Sequence, residues 1–245
     1  MSGKPMTEPF SEIVLTSSFL ASLDHDVAQE LASRMYEEEV PAATTLYATG
    51  DEGDRLYVVL VGRVQVFQSD EYARERMLEV LGPGEVVGEL SMFDDAPRSA
   101  SVSALTAATL AVLLYADVER TLVAHPHAAL RLLAQMSSRL RRANEKLTDV
   151  ALLDVRSRVL KAVLELAARF GEPDSDGIYV DHGLSQEDLA RYVGSSREMV
   201  NRALSELQFR GVLIVRPRAL VLRRPAHPST YGFIGSSREV RPDAV

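Results

Sequence analysis

At 245 residues, 46% hydrophobic and 25% charged, the chain has room for one large domain or two small ones around a real core. It has no cysteine, which excludes disulfides, cysteine-ligated zinc and iron–sulfur clusters. A net charge of −8 argues against a protein that coats nucleic acid indiscriminately, and no apolar run reaches membrane-spanning length.

The first ten residues lack the basic-then-apolar layout of a signal peptide, so a cytoplasmic protein without a membrane partner is expected. Residues 23–38 read as a helix: Asp24 can cap it, and Val27, Leu31 and Met35 share a face at i, i+4 spacing. From Val40 to Leu114 the texture changes to short β-rich runs cut by turns. Residues 56–61, 64–67, 77–81 and 109–114 are the clearest, punctuated by Gly50, Gly53, Gly62 and Gly82-Pro83-Gly84. Short strands at this spacing predict a small barrel or roll.

Inside that region Gly88-Glu89-Leu90-Ser91 is followed, a short loop later, by Arg98-Ser99-Ala100. These parts can hold a small cyclic phosphodiester. Arg98 offers the phosphate a planar fork of donors that lysine cannot match. Ser99 adds a hydroxyl, and backbone N–H groups in the turn opened by Gly88 add more. Glu89 supplies an acceptor for a sugar hydroxyl. The alternative for the same residues is a set of plain turns in which Glu89 and Arg98 make an internal ion pair.

From about Pro126 the pattern turns helical. His125 and His127 flank that proline, where solvent exposure is expected rather than metal or haem ligation. Leu133, Met136, Leu140, Ala143, Leu147 and Val150 alternate spacings of three and four, a narrow seam that needs a partner helix. Arg139, Arg141, Arg142, Glu145 and Lys146 make the rest of the surface polar. That favours parallel pairing of two copies over an amphipathic helix lying on its own domain. Asp154 interrupts the seam and can cap a new helix through Val159, Leu160, Val163, Leu164 and Ala167, which makes residues 151–154 a boundary and hinge. Residues 171–177 read as an acidic surface loop.

Two helices follow with a tight turn between them. Ser185-Gln186-Glu187-Asp188 opens the first as a capping-box variant, and Leu189, Ala190 and Val193 give it an inner face. Gly194 makes the turn, and Ser195-Ser196-Arg197-Glu198 predicts a second capping box. Met199, Val200, Ala203, Leu204 and Leu207 supply the apolar positions of a helix-turn-helix. Residues 212–215 and 219–222 look like the strands of a wing. From Gly183 to Pro225 eight arginines stand against four acidic residues, a local balance of +4 in an acidic chain. Arg197, Glu198, Asn201 and Arg202 sit near the start of the second helix, where arginine can read guanine and glutamate cytosine. The alternative is an i, i+4 pair between Glu198 and Arg202 with Arg197 solvated.

Gly-Glu-Leu, a short helical loop and Arg-Ser-Ala resemble the phosphate-binding cassette of the cyclic-AMP receptor proteins, in the Crp-Fnr family of bacterial transcription regulators. Ser-Arg-Glu-x-Val-x-Arg after Gly194 is similar to their recognition helices. There Arg197, Glu198 and Arg202 match the base-contacting residues position by position, while Met199 and Asn201 vary. The resemblance runs from Leu23 to Arg224. It implies an α+β chain: an extension over 1–22, a cyclic-nucleotide-binding β-roll over 23–125 and a dimerisation helix and hinge over 126–153. A winged helix-turn-helix over 154–225 and a tail over 226–245 complete it.

The resemblance further implies cyclic AMP as an allosteric ligand held by Gly88, Glu89, Leu90, Ser91, Arg98, Ser99, Ala100 and Asn144. It implies double-stranded DNA with TGTGA-like palindromic half-sites, met by Ser195, Ser196, Arg197, Glu198, Asn201 and Arg202. A second copy of the chain joins along the seam, and RNA polymerase is a further partner. One position departs from the pattern. Where relatives place a threonine beside a serine or asparagine to meet the adenine amino group, this chain has Ala143 and Asn144, and Ala143 cannot hydrogen-bond. Two other readings stay open: a regulator with another effector or none, and a cyclic-nucleotide-binding signalling module acting through protein contacts. No nucleophile motif or metal-ligand spacing points to an enzyme.

Overall fold

The computed structural model describes residues 4–6, 8–72 and 74–223, so the segment read above as a tail lies outside the described residues. The chain divides into two compact units, Met1–Thr148 and Asp149–Val245.

The first unit opens with β1 (Lys4–Pro5), α1 (Glu8–Leu15), α2 (His25–Ala32), β2 (Tyr36–Val40) and β3 (Thr45–Tyr47). It continues through β4 (Arg55–Val61), β5 (Val64–Ser69), β6 (Glu75–Leu81), β7 (Val86–Val87), α3 (Leu90–Asp94), β8 (Ser101–Ala104) and β9 (Ala108–Leu114). Then come α4 (Tyr115–Ala124) and the long α5 (Pro126–Leu152), which runs across the unit boundary. Two antiparallel sheets, in the orders β1-β2-β9-β4-β7 and β3-β8-β5-β6, form the roll.

The near-continuous apolar runs of β4 and β9 follow from burial on both faces. In β4, Tyr57 and Val59 point into the core shared by the two sheets, while Leu56, Val58 and Leu60 meet a second core built with the helices. In β9, Leu110 and Val112 take the first core, and Ala111 and Leu113 the second. Each fully buried Val or Leu contributes about 1.5–3 kcal/mol of transfer free energy.

The helix expected over 23–38 is shorter. It ends at Ala32, and the residues after it form β2, paired antiparallel with β9. Met35 still reaches the same core as Val27 and Leu31, but from the connecting turn. Asp24 sits at the helix start without capping it; its carboxylate instead pairs with Arg131 at 2.8 Å. The strands β3, β7 and β8 carried no clear signal because they are short, and β8 buries two serines. Ser101 accepts from the Thr49 backbone N–H at 2.9 Å and Ser103 from Gln65 at 2.9 Å, so those hydroxyls go inside satisfied.

The second unit holds α6 (Val155–Phe170), β10 (Gly171–Asp174), β11 (Gly177–Val180), α7 (Gln186–Val193), α8 (Arg197–Phe209), β12 (Leu213–Arg216) and β13 (Ala219–Arg223). Asp154 caps α6 as expected, accepting from the Ser157 N–H at 2.8 Å. The expected loop over 171–177 is instead largely strand: β10 pairs with β11 as a hairpin and joins the wing in a sheet of order β10-β11-β13-β12. Gly171 permits it, since a Cβ there would lie 2.2 Å from the Ala167 carbonyl oxygen. Helix α6 packs on α7 and α8 and buries Val159, Val163 and Leu166 fully.

The Ser185–Asp188 capping box is present in both directions, and Gly194 ends α7 in the left-handed region at φ 71°. The second box is not formed. The cap of α8 is Ser196 rather than Ser195, which puts Met199, not a carboxylate, at the position that would reach back. Burial raises the Asp188 carboxyl, but hydrogen bonds from Ser185 and Arg191 outweigh it and hold its pKa below the ordinary carboxylate value. A depressed folded-state pKa contributes stability that is complete above the unfolded value of about 3.9 and is lost as pH falls through the lower folded value. Asp188→Ala should therefore destabilise the protein at pH 7, and the gap from the wild type should narrow toward pH 3. Denaturant melts at both pH values measure this; a pH-independent gap would show the carboxylate charge to be irrelevant.

Candidate functional sites

The first site lies in the roll. Strand β7 delivers the chain to Gly88, whose φ of 86° is open to glycine at little cost. A Cβ at Gly88 would also lie 2.7 Å from an Arg98 Nη atom. Glu89 and Arg98 are 3% and 4% exposed, and they do not pair with each other. The internal ion pair weighed from sequence is not formed.

Arg98 is held instead by neutral groups. One Nη donates to the Gly88 carbonyl and the Tyr115 hydroxyl at 2.7 and 2.6 Å, and the other to the Arg55 carbonyl at 2.7 Å. Its Nε is buried without a partner, and among the described residues no carboxylate makes an ion pair with it. The Tyr115 hydroxyl also donates to the Gly88 carbonyl. Burial pushes the Tyr115 phenol up from its ordinary pKa, against the opposing pull of Arg98, so it remains a neutral donor.

Glu89 is taken by Arg139 of α5, which also donates to the Val86 carbonyl at 3.2 Å. Seven residues on, Lys146 pairs with Glu79 of β6 at 2.7 Å, and seven residues before Arg139, Leu132 is fully buried. Positions 132, 139 and 146 thus mark the face of α5 that docks on the roll. That heptad was readable in the sequence, but Arg139 and Lys146 look like ordinary solvated charges until the roll is placed beneath them. The adjoining face carries the seam, where Leu133, Leu140 and Leu147 are 58%, 64% and 66% exposed. An amphipathic helix resting that stripe on its own domain is therefore not what forms.

The structure brings Gly88, Glu89, Ser91 and Arg98 together in buried positions. Ala100 is half-buried, while Leu90, Ser99, Ala143 and Asn144 are exposed. Met136 is half-buried and Val150 exposed along the seam.

The second site is the start of α8. Val200, Ala203, Leu204 and Leu207 anchor the helix, leaving Arg197, Glu198, Met199 and Arg202 exposed. Among the described residues no ion pair joins Glu198 to Arg202, so the helix-pair alternative is not formed and all three charged groups face outward unengaged. Asn201 is half-buried with its Oδ1 unpartnered, and Ser195 is half-buried in the turn. Among the described residues no helix is long and apolar enough to cross a membrane, and no cluster of three acidic or histidine side chains could hold a metal ion.

Residues 37–125 match the cyclic nucleotide-binding domain family, and residues 157–227 match the Crp-like helix-turn-helix domain. The chain is 34% identical over 212 residues to a CRP-like cAMP-activated global transcriptional regulator of Mycobacterium tuberculosis, covering 86% of this chain and 94% of that one. It is 30% identical over 225 residues to the cAMP-activated global transcriptional regulator CRP of Escherichia coli, covering 90% and 97%. Among solved structures, the c-di-GMP-responsive global regulator CLP of Xanthomonas campestris superposes with a TM-score of 0.68 at 28% identity, covering 82% of this chain and 100% of that one.

Proposed function

Because the chain belongs to the Crp-Fnr family of DNA-binding transcription regulators, which are not enzymes, we propose that it acts as a homodimer that binds cyclic AMP and reads a palindromic operator with TGTGA-like half-sites. The observation that carries the ligand reading is the buried Arg98 guanidinium, which has no carboxylate partner among the described residues, together with the buried Glu89. An unpaired buried cation costs several kcal/mol, and a ligand phosphate offsets that cost. Arg98 and Ser99 take the phosphate in this reading, and Glu89, oriented by Arg139, accepts from the ribose 2′-hydroxyl.

The exposed stripe from Leu133 to Val150 supports pairing of α5 with its copy, which would set two α8 helices one DNA turn apart. Arg197, Glu198 and Arg202 are free to meet base edges, and RNA polymerase is the further partner. Calorimetry with cyclic AMP, cyclic GMP and c-di-GMP tests the effector, the last because a relative responds to it. Arg98→Leu should cost about 2–5 kcal/mol of cyclic AMP binding, since it removes one half of a buried charge pair. A variant that folds and binds like the wild type would sink the assignment.

Selection from random DNA should return a two-fold palindrome. Arg197→Ala or Arg202→Ala should each cost about 1–3 kcal/mol and relax specificity at one base pair. A uniform loss across all sequences would make them phosphate contacts instead.

Ala143 favours a second reading of the coupling. With no side-chain hydroxyl there, one hydrogen bond between ligand and α5, worth about 0.5–1.5 kcal/mol, cannot form. Ligand then shifts DNA affinity weakly, and binding without ligand is already appreciable. Ala143→Thr should increase the ligand-induced gain in operator affinity, measured by titration with and without saturating cyclic AMP. A wild type silent on DNA until ligand arrives would refute weak coupling.

A further inference from the structure

We infer that Tyr47 is a positioning residue for the phosphate-binding arginine: its ring fixes the plane of the Arg98 guanidinium without neutralising its charge. This role rests on the cyclic-nucleotide reading above. Tyr47 closes β3, and its ring centroid lies 4.1 Å from the Arg98 guanidinium carbon. Tyr57 of β4 stacks with it, ring centroids 6.1 Å apart at an interplanar angle of 25°, so the Tyr47 ring is itself braced. The Tyr115 ring lies 5.6 Å from the same carbon. Gly53 closes a further side, since a Cβ there would lie 3.1 Å from it.

The hydrogen bonds to the Gly88 and Arg55 carbonyls and to Tyr115 run from the two Nη atoms, and the Nε makes none. Bonds at that end hold one edge of the guanidinium and restrain its plane only through the directionality of the N–H groups, so some rocking about the side-chain axis remains. A ring 4.1 Å away resists that motion. Two parallel bonds to a phosphate demand a defined plane, so the ring acts on the property that fork recognition uses.

The choice of an aromatic group also matters electrostatically. A carboxylate in the same place would hold the arginine equally well, but it would cancel the charge meant for the ligand and occupy its N–H groups. The quadrupole of a ring stabilises the cation while leaving its full charge and remaining donors available. Burial raises the Tyr47 phenol above its ordinary pKa despite the nearby arginine, so the ring stays neutral and does not serve as a phenolate counter-ion.

The test is calorimetry on the full chain with two probes, cyclic AMP and adenosine, which lacks the phosphate. Tyr47→Phe keeps the ring and should bind cyclic AMP within about two-fold of the wild type. Tyr47→Leu and Tyr47→Met should each weaken it by about 2- to 30-fold, the range of a cation–π contact from exposed to desolvated settings. Adenosine binding should be the same in all four proteins. In an Arg98→Lys background, whose ammonium has no plane to fix, Tyr47→Leu should cost less. Undiminished cyclic AMP binding by both aliphatic variants overturns the role, as does an equal loss in Tyr47→Phe or a parallel loss of adenosine. A wild type that binds no cyclic nucleotide overturns this role together with the reading beneath it.

Discussion

A guanidinium buried among carbonyls and tyrosine rings, with no carboxylate paired to it among the described residues, is the constraint around which the roll is arranged. Arg98 can be buried only because the Gly88 and Arg55 carbonyls and the Tyr115 hydroxyl take its hydrogen bonds. Each of those groups is in place for a structural reason. Gly88 turns where a side chain would strike the arginine, and Arg55 starts a strand anchored by both cores. Tyr115 opens the helix that follows β9. Moving any of them would leave the cation both unpaired and unsolvated, which is why the cassette depends on the whole roll rather than on its own short loop.

The buried acid that follows Gly88 is held by a contact from elsewhere. Glu89 is buried, and Arg139 of α5 holds it. The division gives two charge centres with separate tasks, one left net positive and one paired. It also ties Glu89 to α5, because the residue paired to it belongs to the helix whose neighbouring face carries the exposed seam. One helix thus presents a charged and apolar docking face at positions 132, 139 and 146 and an unpartnered leucine stripe beside it.

In the second unit the same economy appears in the caps. Ser196 satisfies the start of α8 with its own hydroxyl, so Arg197 and Glu198 on the first turn are not spent on capping. The reciprocal box sits on α7 instead, where Asp188 is half-buried and Ser185 and Arg191 hold it charged. The helix is fixed by its apolar face, by Ser196 at its start and by Glu206 near its end, which pairs with Arg156 at 2.8 Å, while Arg197, Glu198 and Arg202 stay exposed.

The sequence by itself determined much of this. Strand runs at 56–61 and 109–114, the caps at Asp154 and Ser185, the turn at Gly194 and the seam of α5 are local signals of periodicity, capping and backbone freedom, and such signals do not need the rest of the chain. Most of the candidate ligand and DNA residues could be named from local signals too, because they cluster in two short stretches, 88–100 and 195–202, with Asn144 apart on α5. Only the tertiary structure decided that residues 36–40 are strand, since β9 supplies the hydrogen bonds that override the helical spacing. The hairpin over 171–180 likewise needed its partner strand β13. Above all, the partners of the two buried charges could not be read: Glu89 meets Arg139 fifty residues away, and Arg98 meets Tyr47, Arg55 and Tyr115 from three other elements. Whether a charge inside a protein is paired or left available depends on what the fold brings within a few ångströms of it, and sequence spacing does not carry that information.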